Sequence, residues 1–187
     1  DAPLNEKDYL QQVHALWRKA WPKTMPREPQ YPHGEIALSE YLRAWAKKQP
    51  EHPAVIFYGH TMTYADLDKQ SDRLAALLAS KGVKKGDRVA VFLPNCPQFH
   101  IVFFGILKLG AVHVPVSPLS RAFELSYELN DTDAEVIIAQ DQLIEVVDQV
   151  KGETKLREII VTSLAEVIPA EPTIPVPDSV RTPRIAA

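Results

Sequence analysis

The sequence predicts an α/β fold: a doubly wound, largely parallel sheet with helices on both faces, preceded by a helical and irregular N-terminal arm. Three observations carry this. Short, continuous apolar runs at 88–93, 135–139 and 158–161 have the unbroken pattern of strands covered on both faces. Between them lie segments with apolar residues at helical spacing. The 16 prolines fall outside 54–93 and 119–168, so regular structure is free to run there.

Taken in order, residues 4–20 place Leu10, Val13 (or His14) and Trp17 on one helical stripe. Pro22, Pro26, Pro29 and Pro32 then impose an irregular arm. A short helix is expected from Ser39 to Lys48, with Tyr41, Leu42 and Trp45 on its apolar side, closed by Pro50 and Pro53. Residues 54–57 read as a strand, 58–60 as a turn and 61–63 as a short returning strand. Thr63 and Asp66 have the spacing of a capped helix start. Leu67, Leu74, Leu77 and Leu78 form the stripe of that helix, and Gly82 supplies its left-handed stop.

The strand at 88–93 opens a repeating unit. Asn95 is the expected cap of a helix with Pro97 in its first turn, running through Phe99, Val102, Phe103, Ile106 and Leu107 to Gly110. Residues 112–116 form the next strand, and Pro115 assigns it to an edge or a strand end. Ser120 is expected to cap a helix to about residue 130, and Asp141 another to Val150, with strands at 135–139 and 158–161. The proline-rich stretch 169–177 excludes a helix or central strand and reads as an extended linker leading out of the domain.

Composition narrows the function classes. Of 187 residues, 45% are hydrophobic and 24% charged, the profile of a globular protein with its own core. The seven glycines are about half the usual share. None forms the Gly-x-Gly pair of a dinucleotide loop. Gly105 and Gly110 have the spacing of a Walker loop, but Ala111 and Val112 follow where Lys and Ser/Thr are required. The net charge is −3, and between Arg121 and Lys151 there is no basic residue but eight acidic ones. That face would repel a phosphate backbone, so no nucleic-acid partner is expected. The longest apolar run, 101–107, is too short to span a membrane. The start of the chain does not have the pattern of a signal peptide.

No specific catalytic constellation emerges. Cys96 is the single cysteine, so a disulfide framework and a cysteine-rich zinc site are excluded within one chain. Its place at a helix N-terminus could lower its pKa, but with no paired histidine it reads as structural. Histidines 14, 33, 52, 60, 100 and 113 lack metal-ligand spacing, and His100 and His113 read as surface or core histidines. Ser117 and Ser120 flank a turn without a nucleophile-elbow motif. Asp131 and Asp133 read as terminating a helix. Phe99, Phe103 and Phe104 read chiefly as core packing against the sheet, with pocket lining as the alternative.

Three segments in register nevertheless resemble the start of the adenylate-forming enzymes: acyl-CoA synthetases, luciferases and peptide-synthetase adenylation domains. The first is Thr61-Met62-Thr63-Tyr64-Ala65-Asp66-Leu67, followed by Ser71-Asp72-Arg73-Leu74-Ala75. The second runs from Gly82 through Gly86-Asp87-Arg88-Val89 to Leu93-Pro94-Asn95-Cys96-Pro97-Gln98-Phe99. The third runs from Leu107-Lys108-Leu109-Gly110-Ala111 to Val116-Ser117-Pro118, and the likeness continues through Asn130-Asp131 to Val161-Thr162-Ser163-Leu164. The wording is nearest to long- or medium-chain fatty acid–CoA ligases. The resemblance implies a two-step reaction: a carboxylate attacks the α-phosphate of ATP to give an acyl-adenylate, and the CoA thiol then displaces AMP.

The family's Ser/Thr/Gly-rich phosphate loop, its later nucleotide and magnesium motifs and its small C-terminal domain are not in this sequence. No residue matches a catalytic motif of the family, so no catalytic residue and no metal ligand is assigned, and cofactor contacts are left unassigned. The expectation is an N-terminal fragment, inactive alone and binding no cofactor by itself, of a parent enzyme using ATP, Mg and CoA. Its parts are an arm at 1–53, the α/β subdomain at 54–168 and a tail or linker at 169–187. Expected partners are the remainder of the ligase chain and, in the parent, a fatty acid; a homodimer is left open. The expected location is cytoplasmic, with peripheral membrane association left open. Within the family, an aryl-CoA ligase or other adenylation domain is an alternative. Outside it stand a free-standing interaction or dimerisation module and, more remotely, a flavodoxin-like nucleotide binder.

Overall fold

A computed structural model describes residues 5–182. The chain divides into two compact units, 1–35 and 36–187. In the first, helix α1 (Glu6–Ala20) starts at Asn5, whose side-chain oxygen accepts the Asp8 amide at 3.0 Å. Leu4, the expected first residue of that helix, lies outside the described residues. Pro22, lacking an N–H, forbids a further turn. An irregular segment follows, as the prolines dictate.

The second unit opens with α2 (Leu38–Lys48), which buries Ser39 and Leu42. A hairpin follows, β1 (Pro53–Phe57) against β2 (His60–Thr63), antiparallel. Its turn residues Tyr58 and Gly59 both have positive φ (52° and 94°), the geometry that matches the twist of two antiparallel strands. Helix α3 (Tyr64–Ser80) begins with the expected reciprocal cap: Thr63 Oγ1 accepts the Asp66 amide, and Asp66 accepts the Thr63 amide, each at 3.1 Å. Gly82 ends it at φ 81°.

A four-stranded parallel sheet then forms from β3 (Arg88–Phe92), β4 (Val112–Pro115), β5 (Val136–Gln140) and β6 (Glu158–Thr162), in the order β4-β3-β5-β6. The connecting helices are α4 (Pro97–Lys108), α5 (Ala122–Thr132) and α6 (Ile144–Val150). Alternation along β3 decides the layers. Val89 and Val91 face a core with Leu78 of α3 and Val102 and Ile106 of α4. Ala90 and Phe92 face the other core, with Leu125 and Leu129 of α5 and Val147 and Val150 of α6. The doubly wound arrangement read from the sequence is therefore present, and β4, with its proline, is an edge strand.

Four local expectations are corrected. Asn95 does not cap α4; Cys96 holds the cap position with no side-chain bond, and Pro97 opens the helix. Ser120 does not cap α5; Arg121 takes that position and its amide donates to Glu124 Oε2 at 3.0 Å. Asp141 does not open an α-helix directly: it begins a 3-10 turn over Asp141–Leu143, where its carboxylate accepts the Gln142 amide at 2.8 Å. Leu77 lies exposed rather than on the buried stripe. The helix turns 100° per residue, which carries it past the sheet-facing side that Leu74 and Leu78 occupy.

The proline-rich tail is irregular, but over its described residues it does not lead out of the domain. The Thr173 amide donates to the Tyr58 carbonyl at 3.1 Å, Val176 is buried, and the short helix α7 (Asp178–Arg181) places Val180 against the first core.

Candidate functional site

Because the four strands are parallel, their carboxyl ends and the loops that follow them share one rim. In open α/β sheets, ligands bind outside that rim where neighbouring strands send their chains in opposite directions. Here β3 continues through α4 to β4 on one side, while its neighbour β5 continues through α6 to β6 on the other. The switch point is flanked by residues 93–96 and 140–143.

The buried polar residues collect at the same rim. Of the six described, four lie there: Gln98 in the first turn of α4, Gln140 at the end of β5, Asp141 after it, and Ser163 after β6. Gln98 Nε2 donates to the Ser163 carbonyl at 2.9 Å, tying the β3–α4 corner to the end of β6. Gln98 Oε1 is buried with no partner. Glu166 organises the β6 end: its carboxylate accepts Thr162 Oγ1 at 2.9 Å and the Ser163 amide at 3.3 Å. These residues escape a motif search because nothing in their spacing is distinctive. The available signal is position, since Gln140 and Asp141 directly follow an apolar run that must be a buried strand.

The residues weighed from sequence fall elsewhere or do structural work. Burial pushes the Cys96 thiol up, outweighing backbone bonds that favour the thiolate, so it is not poised as a nucleophile. Ser117 Oγ accepts the Leu119 amide at 3.3 Å within a turn, and the Ser120 amide closes the same turn on the Ser117 carbonyl. Asp133 ends α5 in the left-handed conformation, and its bond from Lys155 at 2.6 Å holds its carboxyl below the usual range. Asp131 is exposed on α5. Among the described residues, no cluster of three metal-ligating side chains occurs.

The aromatic set divides between roles. Phe99 and Phe103 meet the His113 ring edge-on, with centroids 5.6 and 5.2 Å away. Burial lowers the pKa of both His113 and His100, and His113 Nε2 is buried without a partner. Phe103, Phe104 and His100 also line a groove of about 290 Å³ with Tyr41, Trp45 and Tyr64. Core packing and pocket lining, weighed as alternatives, are thus shared along one helix.

A model of the family described as AMP-binding enzyme matches residues 42–183. The chain belongs to the AMP-binding enzyme family. Among its curated relatives, a long-chain-fatty-acid–CoA ligase of Bacillus subtilis is 36% identical over 153 residues, 82% of this chain and 27% of the relative. Two solved structures resemble it closely in fold. One is the inhibitor-bound N-terminal domain of FACL13 from Mycobacterium tuberculosis (TM-score 0.64, 32% identity, 74% of this chain and 37% of that one). The other is the long-chain-fatty-acid–CoA ligase FadD1 of Archaeoglobus fulgidus (TM-score 0.68, 26% identity, 81% and 33%). The chain spans about a quarter of the length of the first curated relatives it matches, and it matches the N-terminal part of fatty acid–CoA ligases.

The three segments that carry the resemblance map onto the AMP-binding domain as structural parts. The first is β2 with the start of α3, the second β3 with the start of α4, and the third the end of α4 with β4. Among the described residues, no helix is long and apolar enough to cross a membrane.

Proposed function

We propose that this chain is the N-terminal subdomain of an acid–thiol ligase that activates a fatty acid as its acyl-adenylate and passes it to CoA. The observation that carries the reading is the matched stretch 42–183 together with 36% identity to a long-chain-fatty-acid–CoA ligase. The parent reaction calls for ATP, Mg and CoA. We assign no residue of this chain to the phosphates or the magnesium. The described residues include no acidic cluster of metal-ligand type, and no basic residue lies between Arg121 and Lys151, the span that holds α5, β5 and α6. No step is therefore routed through those groups here. The role we assign is to frame the reaction: a rigid sheet whose carboxyl rim, with Gln98, Gln140, Asp141 and Ser163, forms one wall of the site.

The division into an arm at 1–53, a subdomain at 54–168 and a tail at 169–187 belongs to the same reading, as does a cytoplasmic location. Its partners are the remainder of the ligase chain and a fatty acid. Phe123 and Tyr127, exposed at i and i+4 on α5, with Leu119 exposed in the turn before it, support the first of these. Carboxylate-dependent exchange of pyrophosphate into ATP tests the proposal. The complete ligase exchanges with a fatty acid, whereas the 187-residue chain alone shows none. Robust exchange by the chain alone would overturn the assignment of a purely framing role, and absence of fatty-acid dependence in the complete enzyme would overturn the substrate class.

A further inference from the structure

The two faces of the sheet are covered unequally. Outside α3 and α4 lies a further layer, where Leu42 of α2 and Met62 of the hairpin pack with Leu67 of α3 against Ile101 and Phe104 of α4. Outside α5 there is no such layer among the described residues; apart from the sheet beneath it, α5 packs extensively only on α6. The outer side of α5 is nevertheless apolar. Phe123 is 81% exposed and Tyr127 65%, and Leu119 in the preceding turn is 85% exposed. At about 100° per residue the two rings lie about 40° apart around the helix. A solvated helix face carries polar side chains, so these apolar groups together mark a surface that another element covers.

Beside this ridge runs a cleft of about 610 Å³, lined by Phe123, Ser126 and Tyr127 on one side and Gln149, Val150 and Glu153 on the other. Asn130 bridges the two sides, donating to the Glu153 carbonyl at 3.3 Å. The charge around the cleft has one sign. Residues 119–153 hold nine acidic residues and two basic ones, Arg121 and Lys151. Lys151 is taken up by Asp148, and Lys155 and Arg157, just beyond, by Asp133 and Glu135. Glu124, Glu128, Asp131 and Glu153 have no ion pair among the described residues. Burial, and after it the nearby Glu124 carboxylate, pushes the Glu128 carboxyl up.

We infer that the outer face of α5 is the docking surface for a basic, amphipathic segment of the remainder of the ligase chain. Its apolar side lies on Phe123 and Tyr127, and its cations stand beside Glu124, Asp131 and Glu153. The inference rests on the ligase reading, since the occupant belongs to the same polypeptide. The stretch shared with the Bacillus subtilis relative is 27% of that protein, so a parent of that length has ample chain to supply the missing layer. The acids select the chemistry of the occupant: a second α5 face, a nucleic acid or an anionic membrane would each be repelled. A covalently joined segment reaches the face at high effective concentration, so one helix face and a cleft suffice to hold it.

Hydroxyl-radical footprinting of the complete ligase and of the 187-residue chain tests this, read by mass spectrometry. Phe123 and Tyr127 oxidise about tenfold more slowly in the complete ligase, roughly the ratio of their present exposure to that of a buried ring. Glu124→Gln with Asp131→Asn raises both rates in the complete ligase by about threefold, because two surface charge contacts are lost. A carbodiimide that joins carboxylates to amines without a spacer links Asp131 or Glu153 to a residue outside these 187, and a mixture of isotope-labelled and unlabelled copies places the link within one chain. Phe123→Ser with Tyr127→Ser lowers the yield of that link by about tenfold or more. The thermal midpoint of the 187-residue chain is unchanged by either pair of substitutions, since all four side chains are exposed. Equal oxidation of the two rings in both proteins would overturn the inference. So would protection accompanied by links between differently labelled copies, or protection indifferent to Glu124→Gln with Asp131→Asn. Pyrophosphate exchange is followed on the same preparations: a complete ligase that exchanges with a fatty acid while both rings stay exposed overturns this inference and leaves the ligase reading in place.

Discussion

Lys108 is the residue whose burial asks most of its neighbours. Its side chain is 3% exposed, and its ammonium donates to the Asp68 carbonyl at 2.7 Å while pairing with the carboxylates of Asp68 at 2.5 Å and Asp72 at 2.9 Å. Asp72 also meets Arg43 at 3.0 Å, so one carboxylate links α2, α3 and α4. Lys108→Met removes the cation and strands two partly exposed carboxylates, costing about 2 kcal/mol, below the range for fully buried pairs because solvent still reaches both acids. Urea unfolding measures this, and Asp72→Asn in the same background recovers part of the loss. Burial works to raise the Asp72 pKa, but Lys108 and Arg43 prevail and hold it below its usual 3.8. Its stabilisation is therefore present above the unfolded value near 3.8 and is lost as pH falls through the lower folded value. His100 and His113 act in a higher window. Burial depresses their folded pKa, so their contribution is complete above the unfolded value of 6.5 and fades as pH drops through the folded one. His113→Phe keeps the edge contacts with Phe99 and Phe103 and removes a buried nitrogen without a partner. We expect it to stabilise by about 1 kcal/mol and to flatten the stability profile between pH 7 and 5.

At the scale of elements, α3 and α4 pack closely at Gly105. A Cβ placed on Gly105 would lie 2.8 Å from Leu74 Cδ2 and 3.1 Å from Leu74 Cβ. Gly105→Ala therefore forces the helices apart or Leu74 off its rotamer, at a cost of about 1–3 kcal/mol. Thermal unfolding reads the loss, and Leu74→Ala added to it gives a double variant less unstable than the sum of the two. The elements themselves were largely legible beforehand. The unbroken apolar runs gave β3 and β5, Pro115 marked β4 as an edge, and the Thr63–Asp66 spacing gave the start of α3. The errors cluster at helix starts. Asn95, Ser120 and Asp141 are all competent caps by residue type, but the chain direction fixed by the strand before each one decides which residue takes the cap. The rim residues Gln98 and Ser163 were illegible because they are 65 positions apart and meet only when β6 joins the sheet.

At the scale of the molecule, the tail closes over the hairpin. A Cβ on Gly59 would lie 2.7 Å from Thr173, so hairpin turn and tail fit each other atom by atom. Removing residues 169–182 uncovers the neighbours of Val176 and frees the Tyr58 carbonyl. We expect a lower thermal midpoint and faster proteolysis at residues 58–60, followed by mass spectrometry of the fragments. The tail packs here although its prolines predict an extended exit, because proline excludes regular structure but does not exclude packing.

The order β4-β3-β5-β6 also sets a timetable for synthesis. Ala90 of β3 pairs first with Val114, but its other neighbour, Ile137 of β5, is 47 positions further along the chain. At a synthesis rate of about 5–20 residues per second, one edge of β3 waits roughly 2–10 s for its partner. During that interval a strand whose last four residues end up fully buried is a half-made sheet beside the ribosome, and it is the segment a holding chaperone would meet first.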